Sequence, residues 1–300
     1  MTARIFRSAL FELSSAVRTR RAIVLMLIYL ALSLLVMNGA ISALGRMETH
    51  LAEIMQVDSA GGKSGTVSAA LWKSKSFQRL VRGIIDDSLV YDDICGRHPA
   101  ELVYAWAVFL LVPLLAVTLC ADRIAVEMRS GSVKYMLMRL SRAEWTLGKY
   151  IGNASLILCS LLAGSLVAWT VAAFRLGGAD VPALLPAMLL WSLKAWFLSL
   201  AWIGLALGVS HFFRSSSRAS GVAMIVMVLF SVIPSAISFF AAGPVWGKLT
   251  VLTRLFPSSV EGPLWRSSFL PVAASAVWLV MLGLLYLSLG YARFARRDVR

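Results

Sequence analysis

The chain has 300 residues, 59% of them hydrophobic and only 15% charged, at a mean hydropathy of +0.78. Soluble domains run at about 45–50% apolar and about 25% charged, so an ordinary soluble globule is excluded. Three cysteines are too few for a disulfide scaffold, and a formal net charge of +14 has to be accounted for by where the basic residues fall.

In chain order, residues 1–21 come first. Phe6, Ala9, Leu10, Leu13, Ala16 and Val17 recur at helical spacing, with Arg4, Arg7 and Arg18 elsewhere on the wheel. This is a basic amphipathic helix suited to a membrane interface. It reads either as a simple anchor or as a lever touching a partner subunit. Ala22–Leu44 follows, uncharged and longer than the 20 or so residues needed to span hydrocarbon. Its length and its distance from the N-terminus argue for an uncleaved first span over a signal peptide.

Residues 45–101 form a long external loop. A Gly/Ser-rich stretch, Ser59–Thr66, precedes a helical stripe running from Val67 to Leu89. The loop reads as a small cap on the spans or as a docking surface for an external protein. Span two is Leu102–Ala121, and residues 122–149 are a charged loop. Span three is Tyr150–Phe174; span four ends at Val209 and starts near Leu190 or as early as Ala183. Span five is Ala219–Gly243. Residues 244–269 are broken by Pro244, Pro257, Gly262 and Pro263, yet greasy with Trp246, Leu252, Phe256 and Trp265. Short re-entrant or interfacial helices with protein-buried backbone fit best. Span six is Leu270–Ala292, leaving 293–300 as a tail. The expected fold is an all-α polytopic membrane protein with six transmembrane helices; strand alternation is absent.

Orientation follows from the basic residues. Segments 1–21, 122–149, 210–218 and 293–300 hold 17 Lys+Arg against 5 acids, a net of +12. Segments 45–101, 175–189 and 244–269 hold 11 Lys+Arg against 10 acids, a net of +1. Both termini are therefore expected in the cytoplasm, in a bacterial inner membrane. The charge is a topology signal, and no nucleic acid need be invoked.

Several motifs carry less than they suggest. Gly62-Lys63-Ser64 ends like a phosphate loop, but the glycine required five places earlier is Val57. Cys95 and His98 supply half a metal site, so no metal is expected. No carboxylate lies deep in a span, and neither a proton relay nor catalysis is expected within the chain. Lys194 is the one charge inside an apolar stretch. A span-four start near Ala183 puts it close to mid-membrane, as a substrate-pathway residue. Pro182 and Pro186 favour the later start, and Lys194 then snorkels outward.

The loop 122–149 is longer than a connector needs to be. Glu127 is followed by Gly131-Ser132, which break one helix, with the Ser132 hydroxyl placed to cap the next. Val133–Met138 gives a short apolar helix. Ser141 and Glu144 have capping-box spacing, and Lys149 stands at the membrane edge. Arg142 lies just after the cap, near the expected apex, with no buried partner competing for it. A short helix braced across the membrane face can pass force from a soluble partner into the spans.

These residues resemble the permease subunits of type-2 ABC transporters, which carry a Glu, a Gly-Thr, a short apolar helix, a Pro-x-Ser-Arg-x-Glu and a Gly-Lys. Here the matching residues are Glu127, Gly131-Ser132, Val133–Met138, Arg139-Leu140-Ser141-Arg142-Ala143-Glu144 and Gly148-Lys149. Phe294-Ala-Arg-Arg-Asp298 resembles an ending common in the family. Arg139 departs from the usual proline, and the apolar helix is one residue short. In size and layout the chain is similar to the single-chain permeases of nitrous-oxide-reductase maturation, sodium or drug export, and gliding motility. The resemblance implies a permease dimer, homomeric or heteromeric, with separate cytoplasmic ATPase subunits that hold the ATP and Mg. It implies ATPase contacts at Arg139, Arg142 and Glu144, with Glu127, Gly131, Ser132 and Lys149 shaping the coupling region. The rival readings are a mechanical transmitter acting on an external partner through 45–101, and a membrane anchor without transport.

Overall fold

Inside a bilayer a backbone N–H or C=O has no water to bond, so each apolar stretch must satisfy its own ladder as a helix. The computed structural model describes residues 2–18, 20–55, 97–176, 181–240 and 250–296, and these are helical with short connections and no strands. The helices are α1 (Thr2–Arg18), α2 (Arg20–Met55), α3 (Pro99–Cys120), α4 (Arg123–Ser130), α5 (Ser132–Leu137), α6 (Arg142–Arg175), α7 (Val181–Ser210), α8 (Ser216–Phe240), α9 (Thr250–Thr253) and α10 (Phe269–Ala295). Two 3-10 turns, Pro257–Val260 and Gly262–Trp265, lie between α9 and α10. Six helices are long and apolar enough to cross a membrane, namely α2, α3, α6, α7, α8 and α10. The external helical stripe from Val67 to Leu89, the Gly62-Lys63-Ser64 tripeptide and Cys95 lie outside the described residues. His98 is within them, and its Nδ1 accepts from Ala100 N (3.2 Å) to cap α3.

The centre of the bundle is α7, which packs against α3, α6, α8 and α10. It is apolar on nearly every side, as a helix at the centre of a bundle is, and most of it is buried, with Leu190 and Leu193 left 46% and 40% exposed. Met188, Trp191, Trp202 and Ile203 are each at most 1% exposed. Glycines set its contact with α10: a Cβ on Gly204 would collide with the Gly283 carbonyl, and one on Gly290 with the Gly208 carbonyl. Two backbones touch there without side chains between them, as small residues spaced four apart allow. Polar side chains stitch the other helices on. Tyr150 OH donates to Leu200 O (3.1 Å), Trp196 Nε1 to Ala154 O (2.8 Å), and Tyr104 and Ser192 share a hydroxyl bond of 2.7 Å.

The span-four helix starts at Val181, so the later start favoured by its prolines is not what forms. Pro182 sits in the first turn, where a missing N–H breaks no bond, and only Pro186 interrupts the ladder. Lys194 does not snorkel either. It is 5% exposed, donates from Nζ to the Arg266 carbonyl (2.8 Å) and lies 4.4 Å from the centre of the Trp191 ring. The segment before α10 folds over it, supplying a carbonyl where water was expected. Lys194 thus fastens that segment to α7. Other contacts draw the same segment inward: Ser258 Oγ donates to Phe230 O (2.8 Å), Trp278 Nε1 to Arg254 O (2.8 Å), and Tyr286 OH to Leu255 O. Its broken backbone finds partners in protein.

Candidate coupling site

The residues singled out between 127 and 149 meet at one face of the bundle, with the first helix and the end of the last. Helix α4 closes on Gly131, whose φ of +74° is the left-handed conformation that terminates helices and that L side chains adopt at a cost of about 1 kcal/mol. Ser132 does not cap the next helix, because Gly131 already occupies that position. Its hydroxyl turns back to Ser130 Oγ (3.0 Å) and the Glu127 carbonyl (3.4 Å), serving the loose end of α4. After α5 the chain turns into α6. There Ser141 Oγ accepts from Glu144 N (3.2 Å) and the Glu144 carboxylate accepts from Ser141 N (2.9 Å).

Lys149 lies two turns into α6 with its side chain 2% exposed. Its ammonium is held between Glu12 Oε2 (2.8 Å) on α1 and Glu127 Oε1 (2.5 Å) on α4, and it sits 5.3 Å from the centre of the Trp145 ring. A buried ammonium is tolerated only with such partners. The bracket joins the N-terminal helix, the loop and span three through one side chain. Beside it the helices nearly touch. A Cβ on Gly148 would collide with the Ser8 side chain, and one on Gly152 would lie 2.8 Å from Glu12 Cβ. Ala9, Glu12 and Ala16 of α1 are therefore buried against α6, while Phe6, Leu10 and Phe11 are at least half exposed. The stripe read as one interfacial face divides into a small-residue face on protein and a large-residue face outward.

Sequence reasoning missed Glu12, although the signal was there. It is the only acid among the first 21 residues, and it falls between Ala9 and Ala16 on the apolar stripe. It also missed two further bonds of the loop. Ser216 Oγ, at the start of α8, donates to Asp122 Oδ2 (2.8 Å), and Ser210 Oγ, at the end of α7, accepts from Ala125 N (3.1 Å). Helix α4 is thus tied to α1, α6, α7 and the start of α8.

Arg142 has partners within the chain, correcting the expectation that nothing competes for it. Its Nη1 donates to Ala295 O (2.7 Å) and Phe294 O (3.1 Å), with the guanidinium 5.4 Å from the centre of the Phe294 ring. A cation on terminal carbonyls is favourable at a helix C-terminus. Phe294 itself is 1% exposed and packs on Trp145 and His211, each with ring centres 5.5 Å away. Glu144 is likewise buried at 5% exposure. Among the side chains left outward in this region are Arg139, Lys134, Tyr135 at 74% and Met138 at 80% exposure.

Burial holds the His211 imidazole neutral, its pKa lowered from 6.5 to about 4 despite the Nδ1–H bond to Leu207 O (2.8 Å). The unfolded chain takes up a proton at the higher value. Stability is therefore lost as pH falls from 6.5 toward about 4, at up to roughly 1.4 kcal/mol per pH unit. Between pH 7 and pH 5 the thermal midpoint of the purified chain should drop further than that of His211→Gln. Equal drops would show that another group governs acid sensitivity.

A six-helix, multi-pass membrane protein whose first helix, longest described loop and last helix lock together at one face is the class that fold and site define. The chain belongs to the ABC-2 family of transporter proteins, whose family model matches residues 7–299. No individual curated protein matches the chain. Membership makes it a membrane component of an ABC transporter and implies a cytoplasmic ATP-binding partner.

Proposed function

We propose that the chain is the permease subunit of an ATP-driven exporter in the bacterial inner membrane. Two copies, or one copy and a related permease, work with separate ATPase subunits that hold the ATP and Mg, and both chain ends face the cytoplasm. The charge asymmetry supports that orientation. The observation that carries the coupling role is the Glu12–Lys149–Glu127 bracket, built on a buried ammonium. A push on α4 or α5 is delivered through it to α1 and span three at once, since none of the three elements can shift without parting a buried ion pair.

The contact with the ATPase is assigned to Tyr135 on α5 and Met138 just after it, with Arg139 beside them. Arg142 and Glu144 act behind them, holding the end of α10 and the cap of α6. Large exposed apolar side chains in an aqueous loop are what a protein partner covers, and an aromatic anchor carries much of the affinity of such contacts. Pull-down of the ATPase should fall at least about tenfold on changing Tyr135 and Met138 together to Ala, a loss of some 1.4 kcal/mol or more. Changing Lys73 or Arg79 in the external loop should leave it unaltered, and the pure chain should hydrolyse no ATP. Undiminished binding by the Tyr135/Met138 variant would remove α5 from the interface.

A further inference from the structure

A second feature lies in the membrane-spanning part, away from the coupling face. Helices α3 and α8 and the 3-10 turns before α10 enclose a groove of about 390 Å³, within the size range of small-molecule sites. Trp106 and Leu110 on one wall are each 60% exposed, and Val228 and Val232 on the other 53% and 57%. The groove therefore opens sideways, toward lipid. Its walls include three aromatic side chains, Trp106, Phe109 and Trp202.

Three polar groups at this groove are left wanting. Glu261 lines it, at the junction of the two 3-10 turns. Its side chain accepts only a long bond from Trp265 Nε1 (3.3 Å), and no basic group among the described residues comes within ion-pair distance. Pro113 has no N–H, so the carbonyl of Phe109 on the same wall lacks its helical hydrogen bond. Trp202 is 1% exposed, and its indole N–H has no acceptor among the described residues. An unneutralised carboxyl, a bare carbonyl and aromatic faces in one apolar groove are what an organic cation satisfies: the one carboxylate neutralises its charge, and the ring faces attract it further. A lipid tail would leave all three polar groups unmet.

We propose that this groove binds a lipophilic organic cation that enters sideways from the bilayer, with its charge set against Glu261 and its body between Trp106, Phe109 and Trp202. Binding is a property of this chain alone; transport of the bound cation rests on the exporter function proposed above.

The test uses the purified full chain in phosphatidylcholine nanodiscs and two probes of nearly one shape and opposite charge, tetraphenylphosphonium and tetraphenylborate. Equilibrium dialysis of each, measured separately, should show saturable phosphonium binding and no borate binding above empty nanodiscs. Glu261→Gln should weaken the phosphonium about tenfold, while Glu261→Asp retains most of it. Trp106→Leu, at an exposed site that leaves the core untouched, should weaken it several-fold and serves if the glutamine variant does not fold. Absent saturable binding, equal binding of the borate, or unchanged affinity in both Glu261→Gln and Trp106→Leu would overturn the proposal. A groove filled by a lipid tail or a second copy would give the first of these. ATPase pull-down on the same preparation separates the two readings, since it can succeed where phosphonium binding fails.

Discussion

Replacing Lys149 by methionine should destabilise the protein by about 3–5 kcal/mol, the range for removing one partner from a buried ion pair. Methionine fills a similar volume, so the loss comes from charge and not from a cavity. What remains is Glu12 at 5% exposure and Glu127 beside it, two carboxylates with the cation gone from between them. Either one takes up a proton, or α1 and α4 separate and let water in. Neutralising the carboxylates as well, with Glu12→Gln and Glu127→Gln in the Lys149→Met background, should recover a large part of the loss. Lys149→Arg should not rescue, because at 2% exposure there is no room for the broader guanidinium. The measurement is the thermal midpoint of the purified chain by size-exclusion recovery, together with ATPase pull-down. If Lys149→Met melts with the wild type, the bracket does not hold the face together and its coupling role falls with it.

The contrast between what could and could not be read from the residues follows the length scale of the physics. Spans are written locally: 20 or so consecutive apolar residues suffice, and six helices of that kind form. Caps are also local, and the bonds between Ser141 and Glu144 are set by a spacing of three residues. Lys149 and Glu127 could be named, because both fall in one loop, but the third member of their cluster lies 137 residues from Lys149. Nothing in periodicity brings Glu12 to that lysine; only the packing of α1 into the space left by Gly148 and Gly152 does. Arg142 failed for the same reason, since its acceptors are 152 and 153 residues away. Lys194 shows the opposite error. Local rules for prolines and snorkelling assumed lipid and water around it, and the broken segment before α10 supplied protein instead. Glu261 stood in that segment as an unremarked acid. Its importance depends on which helices surround it.

The remaining large effect concerns the spans themselves. Lipid tails are as apolar as leucine, so helices in a membrane are held by close packing and hydrogen bonds, with little hydrophobic drive. The α7–α10 contact relies on glycine at four places. A Cβ on Gly204 would approach Gly283 O, C and Cα all within 3.0 Å, nearer than real Cβ atoms come. A Cβ on Gly208 would collide with the Tyr286 carbonyl, and one on Gly283 would lie 2.5 Å from Leu200 O and 2.7 Å from Tyr150 Oη. These are backbone atoms for the most part, which cannot rotate aside as a side chain does. Gly204→Val must therefore push α10 outward along its length, separating Gly290 from Gly208 as well. At the far end, α10 carries Phe294 and the carbonyls that Arg142 holds, so the displacement reaches the coupling face. Overpacking of this kind costs about 1–3 kcal/mol where neighbours can yield and more where backbone meets backbone. Gly204→Val should thus lower recovery of folded protein from membranes several-fold and weaken ATPase pull-down, although position 204 is far from α5. Gly221→Val, on α8 where a Cβ meets nothing within 4 Å, is the matched control and should behave as wild type. If the two valine variants fold and bind equally well, the glycine contact between α7 and α10 is not what joins span six to the rest.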